Sequence, residues 1–441
     1  MMVSQRAARL AAESPAIATA HFRAQADPYH PERNPDGCIN LGTAENRLVW
    51  DLLEPRLTAP RPVRAEDVHY APLHGTAALR TTIAAFLARC WGTAVDPENL
   101  VVVSGVTGAL DVIASALCDP GDAIIVPAPY YSAFDVDLVG RSGARLIRAP
   151  RDGAGGFELD AAVIDRVLEG ARRDGVIVRA VALTSPDNPV GHVYPARTLR
   201  EVGEVARRHD VDLIVDEIYA NSVFGPEPFV GVLDPAVCAD TDGTRAERTH
   251  VVWGFAKDFG LSGLKIGVLH TGHPEVRAAA RALAYFAPVS TDTQLLAREL
   301  LADEDWVEEF TAEHRRRLGR SYDRAAGLLT EWGIPHVPAS AGFSVWTDLS
   351  GWLDSLTLAA EHALWRDIWE ATRVNILPGA VFGCPGPGWF RICHTTDPAV
   401  VSDGITRLGR HLSSIDRTSL PRPGARSADG ARHMRIGSTH A

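Results

Sequence analysis

Short runs of apolar, mostly β-branched residues recur between residues 100 and 272 and alternate with segments of helical periodicity. The runs are LVVVSG (100–105), AIIVPAP (123–129), VRAVALTSP (178–186), VDLIVDE (211–217), THVVWGF (249–255) and IGVLHTG (266–272). Helical periodicity appears between them, for example in residues 107–118 and 201–210. Apolar runs without polar alternation are typical of strands buried on both faces. The pattern therefore predicts an α/β fold with a mostly parallel sheet covered by helices.

The remaining chain carries weaker patterns that surround this predicted sheet. Residues 1–25 and Leu79–Cys90 have apolar positions at helical spacing, whereas three prolines within residues 27–37 indicate an extended connector. Residues 275–330 are helical and heavily charged, and residues 340–415 mix short strands with helices. We therefore expect a second, smaller α+β domain after the main sheet.

These patterns divide the chain into four predicted parts. Residues 1–58 form a helix and an arm that joins the small domain, residues 59–320 form a large domain, and residues 321–415 form the small C-terminal domain. Residues 416–441 are rich in arginine, glycine and serine with little apolar content, so we expect a disordered tail.

Composition narrows the class of protein. The 441 residues carry a net charge of −11, which gives no electrostatic support for a nucleic-acid partner. The six cysteines are scattered without a CxxC pair, which argues against a metal site or a disulfide scaffold. No apolar run approaches the roughly 20 residues of a membrane span, and the first residues lack the pattern of a signal peptide. We expect a cytoplasmic protein without a membrane partner.

Lysine is almost absent from the chain. Lys257 and Lys265 are the two lysines among 44 basic residues, so the other 42 are arginine. Base composition explains the excess of arginine, but arginine cannot replace lysine as an imine-forming amine because its guanidinium stays protonated. Lys257 follows a predicted strand, where partial desolvation beside another cation would lower its pKa. A solvated surface lysine is the plain alternative.

Other polar residues follow the predicted strands, where open parallel sheets bind ligands. Gly105 opens a turn before a helix that could hold an anion on free N–H groups, although a simple tight turn has the same sequence. GxxxxGK[ST] is absent, so this turn is not a Walker loop. Asp216 ends an apolar strand, where a buried carboxylate favours a cation such as a protonated pyridine nitrogen. Tyr219 could contact the same ring, and an N-cap aspartate with a packed tyrosine is the alternative.

Arg391 lies in the apolar sequence PGWFRIC near the end of the predicted small domain. A planar guanidinium in such a strand suits bidentate capture of a substrate carboxylate. An internal salt bridge is the alternative.

Together these residues resemble the fold-type-I family of pyridoxal-5′-phosphate (PLP) enzymes, and specifically 1-aminocyclopropane-1-carboxylate (ACC) synthases. The resemblance covers about residues 27–411 and implies an aspartate-aminotransferase-like α/β fold. Its motifs are DPYHPERNPDGCINLGTAENRLVWDLL (27–53), PLHGTAALR (72–80), DPGDAIIVPAPYYSAFDVD (119–137), SPDNPVGHVY (185–194), DEIY (216–219), AKDFGLSGLKIG (256–267) and PGWFRIC (387–393). The first of these is the most specific, because general aminotransferases do not share it in this form.

The resemblance implies PLP as the cofactor and a role for each aligned residue. Lys257 would be the Schiff-base lysine and the base that moves the α-proton, and Asp216 would be the partner of the pyridine nitrogen. Asn188 and Tyr219 would contact the phenolic oxygen of the ring. Tyr131 would stack on the ring.

The same resemblance implies how the phosphate and the substrate are held. The turn at Gly105 and the backbone N–H groups of Val106 and Thr107 would bind the phosphate. Arg391 would bind the substrate carboxylate. Glu45 lies where ACC synthases carry a glutamate near the substrate.

Three positions depart from the family pattern. Lys265 stands where the family has a phosphate-binding arginine, and Gly254 stands where it has a serine. Leu73 replaces a tyrosine that in the family reaches the cofactor phosphate of the neighbouring subunit. Residue 73 would therefore lie near the substrate site of that subunit. Because hydrogen bonds to charged groups contribute about 1.5–3 kcal/mol each, we expect weaker PLP retention than in typical relatives, or compensating contacts.

The resemblance implies a homodimer that consumes S-adenosylmethionine (SAM). The α-proton would be removed and methylthioadenosine lost from the γ carbon. The product would be ACC, or a γ-replacement or ring-forming product of bacterial secondary metabolism that requires a second substrate. The alternative is a PLP-dependent aminotransferase, which needs the same lysine, aspartate and arginine. A PLP-fold transcription regulator would need a longer N-terminal segment than residues 1–25, and an inactive binding protein would not need Lys257.

Overall fold

The computed structural model describes residues 3–12, 16–61, 63–238 and 244–415. The predicted tail, residues 416–441, lies outside these ranges. No helix among the described residues is both long enough and apolar enough to cross a membrane.

The strands are numbered in chain order. They are β1 (Ile39–Asn40), β2 (Leu100–Ser104), β3 (Ala123–Ala128), β4 (Arg145–Pro150), β5 (Val178–Thr184), β6 (Asp212–Asp216), β7 (Thr249–Gly254), β8 (Ile266–Thr271), β9 (His336–Val337), β10 (Ser344–Asp348), β11 (Val374–Asn375), β12 (Leu377–Pro378) and β13 (Trp389–Cys393).

The helices are numbered in the same way. They are α1 (Gln5–Ala12), α2 (Ala16–Ala26), α3 (Trp50–Leu57), α4 (Ala77–Trp91), α5 (Gly105–Leu117), α6 (Phe134–Asp137), α7 (Ala161–Arg173), α8 (Ala196–Arg208), α9 (Pro235–Cys238), α10 (Thr244–Glu247), α11 (Phe255–Asp258), α12 (Pro274–Leu283), α13 (Thr291–Ala302), α14 (Glu304–Glu331), α15 (Leu358–Thr372) and α16 (Pro398–Ser414).

A seven-stranded sheet in the order β2-β8-β7-β6-β5-β3-β4 forms the centre of the fold. Its strands pair in parallel except β8, which runs antiparallel to both β2 and β7. Strands β3, β6, β7 and β8 are buried along their whole length, as expected for strands covered by helices on both faces. The predicted α/β class with a mostly parallel sheet is confirmed.

One edge of this sheet collects the polar residues that the sequence singles out. The carboxyl ends of β2, β3, β5, β6 and β7 lie at the same edge because these strands run in the same direction. Strand β8 runs the other way, so its first residue, Ile266, also lies at this edge, paired with Ser104. Lys265 precedes that residue and therefore approaches the same edge from the opposite chain direction.

A second sheet in the order β12-β13-β10-β9 is antiparallel and packs under α14, α15 and α16. Strand β1 of the N-terminal arm pairs in parallel with β11, which ties residues 39–40 to this C-terminal region. Helix α14 runs over 28 residues from the large sheet to this second sheet. Arg391 lies at the centre of the second sheet on β13, opposite Trp346.

Three elements differ from the sequence prediction or were missed. Where one helix was predicted over residues 1–25, the structure has two helices, α1 and α2. Residues 13–15 between them lie outside the described ranges. Strand β4 was not predicted because it is an edge strand whose arginines face solvent, which leaves no continuous apolar run. Helix α3 was missed because Pro55 lies within it.

Candidate active site

A cavity of about 290 Å³ opens at the carboxyl edge of the large sheet, close to the lower end of the range typical of small-molecule pockets. It is lined by most of the site residues that the sequence predicts, namely Gly105, Val106, Thr107, Tyr131, Asn188, Asp216, Tyr219, Lys257 and Lys265. Glu45, Arg391 and Leu73 do not line it directly.

One end of the cavity is built to hold an anion. Helix α5 begins there at Gly105, and its first turn has neither an acidic residue nor a side-chain N-cap bond, so its first N–H groups are free for a ligand. The Ser104 hydroxyl does not cap the helix because it donates to the carbonyls of Ala287 and Pro288 instead. Lys265 adds a positive charge at the same end.

Two glycines let the start of α5 approach the sheet. Gly105 has a φ of +78°, in the left-handed region that favours glycine. A Cβ added to Gly267 would lie 2.2 Å from the carbonyl carbon and oxygen of Gly105 and 2.6 Å from the Val106 nitrogen. Residue 267 must therefore be glycine for the anion-binding turn to rest against β8.

Asp216 places a carboxylate in the wall of the cavity at the end of β6. The side chain is buried, and its Oδ1 accepts a hydrogen bond of 3.1 Å from the backbone N–H of Ile218. Burial raises the pKa of Asp216 to about 7, which the Ile218 bond and the charge of Lys257 only partly oppose. A cationic ligand that donates a hydrogen bond to this buried carboxylate would stabilise it.

Lys257 lies on the short helix α11 that follows β7. Its Nζ donates a hydrogen bond to the backbone carbonyl of Ala44 and lies 6.0 Å from the centre of the Phe343 ring. Burial, followed by the positive charge of Arg391, lowers the pKa of Lys257 to about 8. Near neutral pH a measurable fraction of this amine is therefore unprotonated and nucleophilic.

Two tyrosines complete the wall around Asp216 and Lys257. Tyr219 is buried and packs edge-to-face on Phe343, with ring centres 5.2 Å apart. Tyr131 is half-buried and packs edge-to-face on Phe134 at 5.5 Å. Burial raises the pKa of both phenols, so both remain protonated hydrogen-bond donors at neutral pH.

Arg391 reaches the site through Asn188. Its Nη1 donates to the Asn188 side-chain oxygen at 3.2 Å, and its Nη2 donates to the Gly42 carbonyl at 2.7 Å. The guanidinium is 1% exposed, stacks 4.7 Å from the centre of the Phe382 ring, and forms no ion pair among the described residues. Its Nε also has no hydrogen-bond partner there. A buried cation with a free donor is suited to an incoming carboxylate.

The arm segment 42–47 forms the roof over both cations. The carbonyls of Gly42 and Ala44 accept hydrogen bonds from Arg391 and Lys257, respectively. Glu45 is half-buried and pairs with Arg47 at 2.8 Å, and its backbone carbonyl accepts from Thr395. Leu73 lies in the loop before α4 and away from the cavity of its own chain.

Sequence reasoning missed a buried hydrogen-bond chain behind Lys257. The Asp258 carboxylate accepts from the Ser222 hydroxyl at 2.8 Å and from the Trp253 indole at 3.0 Å. Ser222 contacts His314 Nε2 at 3.1 Å, and His314 Nδ1 contacts the Asn46 amide at 3.1 Å. Burial, followed by the charge of Arg315, lowers the pKa of His314 to about 3, so the ring is neutral. The amide fixes the proton on Nε2, so each donor in the chain has an acceptor.

Two further cavity residues had no signal in the sequence prediction. Asp137 accepts a hydrogen bond from Thr107 Oγ1 at 3.1 Å, and burial raises its pKa to about 7. Ser262 begins the 3₁₀ turn Ser262–Leu264 and also lines the cavity. Both are isolated polar residues in loops or short helices, and they reach the site only through the tertiary fold.

The glycine at position 254 is required by packing. A Cβ there would lie 2.6 Å from the Ile266 carbonyl and 2.8 Å from Val106 Cγ2. A serine at this position therefore does not fit the present backbone, so the departure from the family pattern is coupled to the packing of β7 against β8 and α5.

The fold and the cavity together define a class of protein. A mostly parallel α/β sheet carries a buried carboxylate, a lysine and a free helix N-terminus at one edge, the arrangement of a fold-type-I PLP enzyme. The sequence model of the family described as aminotransferase class I and II matches residues 38–408. The chain belongs to this family of PLP-dependent enzymes.

Within this family the chain is similar to ACC synthases. It is 34% identical over 404 residues to 1-aminocyclopropane-1-carboxylate synthase 1 of Cucurbita pepo, covering 89% of this chain and 82% of that protein. It is 35% identical over 410 residues to the ACC synthase of Glycine max, covering 90% and 84%, respectively. The predicted resemblance is confirmed, and the protein is an ACC-synthase-like enzyme of the PLP-dependent lyase or transferase type.

Solved structures confirm the aspartate-aminotransferase-like fold. The aspartate aminotransferase of Thermus thermophilus with maleate superposes with a TM-score of 0.78 at 24% identity, covering 93% of this chain and 100% of that chain. The N-succinyldiaminopimelate aminotransferase of Mycobacterium tuberculosis gives a TM-score of 0.75 at 24% identity with the same coverage. At this identity the likeness concerns the fold alone.

The donor set of the cavity fits PLP. The N-terminus of α5 and Lys265 match the phosphate, and the buried carboxylate of Asp216 matches a protonated pyridine nitrogen. Asn188 and Tyr219 offer polar groups on the same wall, and the Lys257 amine completes the set. This one cofactor would supply a partner both for the free N–H groups of α5 and for the buried carboxylate of Asp216.

Proposed function

We propose that this enzyme acts on SAM, removing the α-proton and releasing methylthioadenosine from the γ carbon. The product is ACC, or the product of a second nucleophile that attacks the γ carbon. The observation that carries the proposal is the hydrogen bond from Lys257 Nζ to the Ala44 carbonyl. This bond brings the proposed base against the Glu45 segment, in which the chain resembles ACC synthases.

The cofactor would be held by the residues that line the cavity. The N–H groups of Val106 and Thr107, with Lys265, bind the phosphate, and Asp216 keeps the ring nitrogen protonated. Bound PLP supplies an electron sink that acidifies the α carbon of an attached amino acid.

Lys257 then serves as the base. Its pKa of about 8 lies close to neutral pH, so the free amine can take the α-proton onto Nζ and remain close to the substrate. Arg391 binds the substrate carboxylate through its free Nε donor and fixes the α carbon beside Lys257. The Ala44 carbonyl orients the ammonium after the transfer.

Bonds and charges balance in this reaction. The Cγ–S bond breaks, and its electron pair stays on sulfur, which turns the sulfonium into the neutral thioether of methylthioadenosine. In ACC formation the α carbon supplies the electron pair for the new Cα–Cγ bond. In γ-replacement an external nucleophile supplies the pair and loses its proton to the solvent, and Lys257 returns the α-proton to the α carbon.

Incubation of the holoenzyme with SAM, followed by mass spectrometry of amines and thioethers, tests this function. We expect methylthioadenosine in stoichiometric ratio with ACC, or its release only when a second nucleophile is added. Lys257→Ala should reduce methylthioadenosine release at least about 1,000-fold because it loses the amine used for both attachment and proton transfer. Release of a keto acid without methylthioadenosine would contradict the proposal and identify an aminotransferase.

We also infer that the enzyme is a homodimer, with Leu73 near the partner's phosphate site. Large apolar side chains lie exposed in two neighbouring segments, with Tyr70 fully exposed and Val68, Tyr285 and Phe286 each about two thirds exposed. Exposed apolar groups of this kind mark interfaces. Sedimentation equilibrium of the holoenzyme should give twice the chain mass of 47.5 kDa, and a monomer would contradict the inference.

A further inference from the structure

A second, larger cleft lies beside the arm segment and is lined by arginines. Its volume is about 650 Å³. Its basic residues are Arg47, Arg317, Arg320 and Arg324. The last three occupy positions i, i+3 and i+7 of α14, so they share one face of that helix. The concentration of arginine contrasts with the net charge of −11 of the whole chain.

The arginines of the cleft differ in how far they are neutralised. Arg317 is fully engaged, since it contacts Asp51 and Glu313, each at 2.6 Å. Within the described part of the chain, Arg47 pairs with Glu45 alone. Arg320 and Arg324 are exposed and form no ion pair with any described residue. Two or three guanidinium groups are therefore available to a ligand.

The opposite wall adds the Thr396 hydroxyl and one acid. It consists of the Thr396–Pro398 turn and the start of α16. The Asp397 carboxylate also lines the cleft, but it caps α16 by accepting from the Ala399 N–H at 2.7 Å. Ser321 is buried and donates to the His394 carbonyl, which joins this wall to α14. The cleft therefore has a fixed shape on both sides.

The arm segment 42–47 contacts both the cleft and the amine of Lys257. Arg47 and Leu48 line the cleft, whereas Ala44, three residues before Arg47, contacts the amine of Lys257. Glu45 stands between them, paired with Arg47, and its negative charge acts on Lys257. The Arg47 backbone N–H is fixed to the Thr395 carbonyl at 2.8 Å, so the segment cannot shift freely. A ligand that contacts Arg47 would thus bind the same arm segment whose Ala44 carbonyl accepts from Lys257.

We propose that this cleft binds the multiply charged anionic group of a second substrate, such as a diphosphate or a polycarboxylate. The inference rests on the γ-replacement form of the proposed function, in which a nucleophile must reach the γ carbon. Planar guanidinium groups bind phosphate and carboxylate oxygens bidentately, and several of them on one helix face require more than one negative charge. A bound anion would also pair with Arg47 in place of Glu45. The Glu45 carboxylate would then be free to face the sulfonium of SAM.

Calorimetric titration of the holoenzyme at low ionic strength tests the cleft, with inorganic pyrophosphate and citrate as probes. We expect saturable binding of at least one probe, and the tighter one identifies phosphate or carboxylate chemistry. Arg320→Gln/Arg324→Gln should weaken that binding by at least about tenfold, because two charge-assisted contacts are lost. The matched control Arg366→Gln/Arg410→Gln removes the same charge from exposed positions outside the cleft and should leave the affinity within about twofold of the parent value.

The proposal is overturned if neither probe binds at millimolar concentration, or if both double variants bind equally well. If Arg320→Gln/Arg324→Gln does not fold, the two single variants replace it, and each should lose a part of the affinity. The test does not depend on turnover. Absence of SAM cleavage would defeat the proposed function while leaving the binding result valid, and SAM cleavage without anion binding would defeat the cleft alone.

Discussion

At the scale of single residues, the site depends on buried charged groups. Their burial costs free energy of folding unless a ligand pairs with them. Asp216 is the clearest, since its carboxylate is buried and accepts one backbone hydrogen bond. The sequence singled out this residue and Lys257 because each follows an apolar strand and lysine is rare in the chain, and the structure places both in the lining of one cavity. The contact between His314 and Asn46 could not be predicted, since 268 residues of sequence separate them.

Asp216→Asn should stabilise the apoenzyme and weaken the holoenzyme. The folded pKa of about 7 lies above the usual aspartate value of 3.8, so the folded apoenzyme binds this proton more tightly than the unfolded chain. Its stability therefore falls as pH rises from about 4 to about 7 and stays lower above that range. Asparagine keeps the acceptor for Ile218 and removes this cost, which is on the order of a few kcal/mol.

Thermal unfolding of both apoenzymes from pH 4.5 to pH 8 measures this difference. The gap in melting temperature in favour of the variant should widen up to about pH 7. A gap that is constant over the range would show that Asp216 does not titrate there.

Lys265→Arg should tighten PLP binding. A guanidinium offers the phosphate a second hydrogen bond that the single ammonium cannot supply in the same plane. At about 1.5 kcal/mol for one net charged hydrogen bond, the dissociation constant should fall roughly tenfold. Reconstitution of the apoenzyme, followed by cofactor absorbance, gives the constant, with Lys265→Ala as the control expected to bind more weakly than the parent. A variant no tighter than the parent would mean that another donor in the cavity, such as the Ser262 hydroxyl, already compensates.

At the scale of elements, the anion-binding turn depends on contact between β8 and the start of α5. The strands β2, β7 and β8 were predictable because they are continuous apolar runs buried on both faces. The contact itself was not, because it depends on the space left by Gly267 in the folded chain. Edge strand β4 was missed for the opposite reason, since its solvent-facing arginines break the apolar run.

Gly267→Ala should displace the turn and lower both stability and PLP affinity. The added methyl would lie 2.2 Å from backbone atoms of Gly105, which cannot move without shifting the first turn of α5. Overpacking of this kind typically costs about 1–3 kcal/mol. Melting temperature and PLP titration provide the two measurements.

Gly263→Ala is the matched control, because its added Cβ would meet nothing within 4 Å. It should leave the melting temperature and the PLP dissociation constant close to those of the parent. Equal effects of the two substitutions would contradict the role given to the contact at position 267.

At the scale of the whole molecule, residues distant in sequence meet behind the catalytic lysine. His314 of α14 joins Asn46 of the arm to Ser222 and Asp258, next to Lys257. The sequence predicted an arm over residues 1–58 but not that a buried histidine would anchor it. In the sequence, nothing around His314 distinguishes it from an ordinary surface histidine.

His314→Leu should destabilise the enzyme by about 2–3 kcal/mol, because it leaves the buried Asn46 amide without its acceptor and breaks the chain to Asp258. His411→Leu is the control, since the His411 ring pairs, among the residues described, with the largely exposed carboxylate of Asp367. It should change stability by less than about 1 kcal/mol. Chemical denaturation of both variants gives the comparison, and similar losses would show that the buried chain adds nothing beyond an ordinary contact.

The proposed cofactor attachment and proton transfer both depend on the identity of one amine. Borohydride treatment of the holoenzyme, followed by proteolysis and mass spectrometry, shows which lysine carries the cofactor. We predict a single pyridoxyl-modified peptide with the label on Lys257, the lysine whose pKa burial lowers to about 8. A label on Lys265, or an unlabelled protein, would contradict the account.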